Sequence, residues 1–121
     1  MNTVIAVVDD LFFASKIRGT AEQVGTHVQF VRSIPAAIAK AREEAPALII
    51  ADLNASCCDV LELARALKSD DALTGVPLLG FFSHVQTELQ QAAIAVGYDR
   101  VMPRSAFTKN LVDILAAAEP H

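Results

Sequence analysis

A chain of 121 residues suffices for one domain and is too short for two of ordinary size, so residues 1–121 read as a single unit. Ten Lys and Arg against 14 Asp and Glu leave a formal net charge of −4, which argues against a broad electrostatic footprint for nucleic acid or an anionic membrane. With 53% hydrophobic residues the chain can bury a core, yet no apolar run approaches the roughly 20 residues of a membrane-spanning helix.

The first ten residues, MNTVIAVVDD, carry no basic stretch before the apolar run and turn acidic directly after it, unlike a secretory signal. Cys57 and Cys58 are adjacent and cannot staple distant segments, so a reduced, cytoplasmic setting is expected. Metal binding through these thiols would need further ligands at suitable spacing, and small loop or core residues are the preferred reading.

Short apolar runs rich in β-branched residues alternate with stretches of helical period. Val4–Val8 is the first run; Phe13, Ile17, Ala21 and Val24 then make a helical stripe closed by Gly25. After Val28–Val31, Ser33 is a candidate N-cap with Pro35 just inside a helix that reaches about Ala45. Ala47–Ala51 is the third run, followed by Val60, Leu63, Ala64 and Leu67 at helical spacing. Val76–Phe82 precedes Ser83 and Gln86, a candidate capping box for a helix bearing Leu89, Ala92, Ala93 and Val96 and closed by Gly97. Val101–Met102 leads to Ser105 as candidate cap of a last helix with Phe107, Leu111, Ile114, Leu115 and Ala118 on one stripe. Runs apolar at successive positions suit strands buried on both faces. The pattern predicts α/β architecture, a (βα)5 doubly wound five-stranded parallel sheet with helices on both faces.

In such sheets the working crevice lies beyond the carboxyl ends of the strands. Asp9 and Asp10 follow the first strand and Asp52 ends the third, its neighbour, so three acids are expected to converge. Packed like charges raise one another's pKa and call for a neutralising cation, of which Mg²⁺ is the natural one for oxygen ligands. A carboxylate in that setting can attack a phosphoryl group and form an acyl phosphate. The plainer alternative is helix capping, by Asp9 or Asp10 for the first helix and Asp59 for the third.

The segments VIAVVDD, ALIIADLN around Asp52, VPLLGFF and GYDRVMPR together resemble a response-regulator receiver domain of two-component signalling, over Thr3 to Ala118. The resemblance implies a flavodoxin-like sheet of strand order 2-1-3-4-5 and a phosphorelay role rather than an enzyme acting on external substrates. It makes Asp52 the phosphoacceptor, Asp10 a direct Mg²⁺ ligand, Asp9 a ligand through water, and Asn54 the residue whose backbone carbonyl completes the metal site. The implied partner is a sensor histidine kinase or another signalling protein, and the implied contact or homodimer surface is the face of the fourth helix, fifth strand and last helix. On that face Gln90, Gln91, Ile94, Val101, Val112 and Ala116 make a surface low in charge.

The departures are as informative. Counting from Pro77, Phe82 stands where the family places a Thr or Ser whose hydroxyl binds the phosphoryl group and moves. Arg104 replaces the family lysine, Ser105 the proline after it, and Val101 the switch aromatic; Ser56 and Val60 replace a proline and a glycine in the loop after Asp52. Arg104 is expected to bridge carboxylates in a fork, or to fold over Asp52 and weaken the metal site. The pattern resembles an atypical receiver that keeps the acids and loses the switch. A phosphorylation-independent interaction module is therefore the alternative to a phosphorelay receiver, and a small-ligand-binding flavodoxin-like domain is a third reading. No glycine-rich phosphate loop and no nucleophile–histidine constellation is present, and His84, beside Ser83, is expected near the mouth of the site.

Overall fold

A computed structural model describes residues 3–83 and 86–117. The strands are β1 (Thr3–Val7), β2 (His27–Val31), β3 (Leu48–Asp52), β4 (Leu78–Phe82) and β5 (Arg100–Pro103). The helices are α1 (Leu11–Val24), α2 (Ile34–Glu44), α3 (Val60–Lys68), α4 (Thr87–Val96), α5 (Arg104–Lys109) and α6 (Leu111–Ala117). All strand pairs are parallel and the order is β2-β1-β3-β4-β5, as expected.

Every residue of β1, β3 and β4 is buried, whereas β2 and β5 form the edges and are partly exposed. Burial on both faces explains why the three central strands are apolar at successive positions. Alternate residues feed two cores. Ile5, Val7, Ile49, Ala51, Leu78 and Phe82 pack under α2, α3 and α4. Val4, Ala6, Ile50, Leu79 and Phe81 pack with Phe13, Ile17, Phe107 and Leu111 beneath α1, α5 and α6. Gly80 permits a close approach at the centre of β4, since a Cβ there would stand 2.9 Å from Leu53 Cδ2.

Local chemistry sets most boundaries. Asp10, Ser33 and Asp59 cap α1, α2 and α3 with their side chains, and Gly25 ends α1 in the left-handed conformation. Two expected caps are absent. The helix after Ser83 begins at Thr87 with Gln86 as a cap whose side chain makes no bond to the helix's first turn, so no capping box forms. Ser105 lies inside α5, which starts at Arg104 directly from β5. The last helix is also interrupted at Asn110, whose Nδ2 bonds back to the Ala106 carbonyl at 2.8 Å. Ala118 and His84 lie outside the described residues.

Candidate functional site

Two neighbouring strands deliver the acids to one edge. Val7 pairs in register with Ala51, so Asp9 and Asp10 leave β1 just above the level at which Asp52 ends β3.

Asp10 is committed at both oxygens. Oδ1 accepts from the Phe12 and Phe13 backbone N–H groups at 3.0 and 3.1 Å, capping α1. Oδ2 accepts from Arg104 Nη2 at 2.9 Å. Arg104 reaches it because β5 runs straight into α5 at the same edge of the sheet. Its guanidinium carbon lies 3.8 Å from the centroid of the Phe13 ring. That ring is buried against Phe81 and Phe107, with centroids 5.1 and 5.8 Å away. The first turn of α1 thus supplies both the anion and the aromatic floor for the cation, a pairing that favours guanidinium over ammonium. The Arg104 hydrogen bond, followed by that from the Phe13 N–H, holds the Asp10 carboxyl below the ordinary range.

Asp9 faces the loop after β3. Its Oδ2 accepts from Ser56 N and Oγ at 3.0 and 2.9 Å and from Cys57 N at 3.1 Å. Partial burial alone would raise this carboxyl, but the Ser56 and Cys57 donors outweigh it and the net direction is downward. Ser56 was notable in the sequence only as a replacement for proline. Its job is to supply N–H and O–H donors, the first of which proline lacks.

Asp52 is 5% exposed, and burial pushes its carboxyl upward, opposed by the Asn54 N–H and the Arg104 charge. Its Oδ1 accepts from Asn54 N at 2.9 Å. Asn54 also ties two loops together: its Oδ1 accepts from Ser83 N at 2.7 Å and its Nδ2 donates to Gln86 Oε1 at 3.3 Å. Ser83 is therefore held by its backbone beyond the end of β4, and the strand has not slipped to bring its hydroxyl into Phe82's place. Phe82 is the last residue of β4, opposite Pro103, and packs into the core under α2–α4.

The sequence thus places the acids correctly at one edge, while their bonding differs from expectation. Arg104 neither bridges two carboxylates in a fork nor hydrogen-bonds Asp52; among the described residues its hydrogen bond goes to Asp10. Among the described residues no group of three acidic, histidine or cysteine side chains has the arrangement to hold a metal ion. Asp10 has Oδ1 spent on the cap of α1 and Oδ2 on Arg104, and Asp9 Oδ2 is held by loop donors, so Asp10 as arranged does not fit direct Mg²⁺ coordination. Phe13 was legible only as a core residue; its role beneath Arg104 depends on the meeting of α1 with α5. Cys57 and Cys58 are partly buried and pack against the α2–α4 core, as small loop residues.

No protein-family model matches the sequence, and no curated protein matches it. Solved structures do. A response regulator from Hahella chejuensis shares 18% identity over 98% of this chain and 95% of its own, with a TM-score of 0.85. The chemotaxis response regulator CheY4 of Vibrio cholerae shares 23% identity over 98% of this chain and 99% of its own, with a TM-score of 0.82. The Mn²⁺-bound form of response regulator Rcp1 shares 17% identity over 97% and 91%, with a TM-score of 0.76. The chain has the receiver-domain fold.

Proposed function

We propose that the chain is a receiver-fold signalling module that works by binding a second copy of itself through a surface kept in one state, independently of phosphorylation. The observation that carries this reading is Phe82, a buried apolar ring at the end of β4 where a receiver switch requires a mobile hydroxyl. A phenyl ring makes no hydrogen bond to a phosphoryl oxygen, and its burial in the core opposes movement. Val101, in edge strand β5, likewise offers no aromatic to follow such movement. The module is accordingly not an enzyme with an external substrate, and no helix among the described residues is long and apolar enough to cross a membrane.

The contact surface in this reading is the face of α4, β5 and α6. Ile94 and Val112 are exposed there at 61% and 52%, and Gln91 and Ala116 are exposed beside them. Its occupant is a second copy of the chain, since exposed apolar groups set among polar ones, Arg100 and Asp113 included, suit a self-complementary patch. Sedimentation of wild type, Asp52→Asn and Val112→Glu tests this. Equal self-association of the first two with loss in the third is expected. Loss in Asp52→Asn alone, or a monomer throughout, contradicts it.

A second reading, phosphoryl acceptance on Asp52 from a sensor kinase or similar partner, has one specific support. Asp52 Oδ1 is held by the Asn54 N–H, while Oδ2 carries no hydrogen bond from the described residues. Intact mass after incubation with a small phosphodonor and Mg²⁺ separates the readings: addition of one phosphoryl group, absent in Asp52→Asn, favours the second.

A further inference from the structure

We propose that Arg104 is the resident cation of the acid edge and that its guanidinium excludes divalent metal from Asp10. A small hard cation needs several oxygen ligands in near-octahedral array. Asp10 Oδ1 is spent on two backbone N–H groups of α1, and releasing it uncaps the helix. Asp10 Oδ2 faces Arg104 Nη2 at 2.9 Å, so a metal ion bound there would meet a positive charge on the same oxygen. Asp9 Oδ2 is held by three donors of the β3–α3 loop.

Displacing Arg104 is opposed twice over. Its guanidinium loses both the Asp10 carboxylate and the face of Phe13, 3.8 Å beneath it. Deprotonation offers no escape, because a guanidinium keeps its proton in proteins. Arg104 Nε is buried without a hydrogen-bond partner among the described residues, so the side chain is positioned by its Nη2 contact and by stacking. A lysine ammonium, a compact charge without the planar face, gains less from that ring. Phe13 and Arg104 therefore act together: the ring fixes the cation, and the cation neutralises Asp10 from within the protein.

The consequence is a gain of metal binding when the cation is removed. Backbone amide spectra of the full chain are recorded with paramagnetic Mn²⁺ as the probe, for wild type, Arg104→Met and Arg104→Ala. At about 1 mM Mn²⁺ the amides of Asp10, Leu53 and Asn54 stay sharp in wild type. In Arg104→Met, which keeps most of the stem over Phe13, the same amides broaden, with affinity raised at least about tenfold. Adding Asp10→Asn to Arg104→Met abolishes the gain.

Broadening of those amides in wild type at the same concentration overturns the proposal without recourse to any variant. Sharp amides in both Arg104 variants, or broadening that survives Asp10→Asn, also overturn it. The self-association of Val112 variants reads another face of the molecule, so either result can fail while the other stands.

Discussion

Arg104 and Asp10, ninety-four residues apart in sequence, meet at 2.9 Å over the Phe13 ring. The contact closes the carboxyl edge by joining the start of α5 to the start of α1. It is partly solvent-exposed, so its value is positional, and little stability should be assigned to the ion pair itself. What it does is hold one acid fully ionised beside Asp52, whose own carboxyl is pushed the other way by burial.

That contrast predicts a pH-dependent effect at Asp52. An acid whose pKa rises on folding holds its proton more tightly when folded, so stability falls as pH climbs from the ordinary carboxylate value through the raised one. Asp52→Asn removes the buried charge while keeping an acceptor for the Asn54 N–H. The variant is expected to be more stable than wild type at pH 7 by about 1 kcal/mol, with the margin shrinking below about pH 4. Urea unfolding at several pH values measures it; a less stable variant at pH 7 contradicts the burial argument.

Ala45 predicts a stabilising substitution. It ends α2 at φ 47°, in the left-handed region where a Cβ is penalised. Ala45→Gly relieves that strain and is expected to raise stability by about 0.5–1 kcal/mol, net of the greater freedom of glycine in the unfolded chain. Thermal unfolding that shows a loss instead contradicts the strain.

How far the sequence carried the fold follows from where its signals are local. The central strands were legible because burial on both faces leaves an uninterrupted apolar run, and three helix starts because the capping oxygens of Asp10, Ser33 and Asp59 accept from their own next turn. The start of α4 was not legible. Ser83 has the spacing of a cap, but its N–H is taken by Asn54 Oδ1, twenty-nine residues away, and the helix begins later. The site divides the same way. Strand ends put the acids at one edge, whereas the partner of Arg104 was decided by an aromatic ring on another helix, which no spacing encodes.

Cys58 is expected to react slowly. Burial, with the adjacent Cys57 adding to it, pushes its thiol up to about 11, so little thiolate exists near neutral pH. Alkylation of Cys58 at about pH 8 should run roughly 100-fold slower than in the urea-unfolded chain. Peptide mapping over a time course reads this, and equal rates in folded and unfolded protein contradict it. The same shift means that the contribution of the buried neutral thiol is present below the ordinary thiol pKa and is lost as pH rises toward 11.

The central claim is that the α4, β5 and α6 face holds one conformation whatever the state of Asp52. Its most direct test compares backbone amide shifts of the full chain before and after treatment with Mg²⁺ and a beryllofluoride mimic of the acyl phosphate. Changes should be absent or confined to residues beside Asp52, leaving Thr87–Val96 and Arg100–Pro103 in place. Shifts spreading through α4 and β5 would show that the receiver switch operates despite Phe82 and Val101, and would contradict the account.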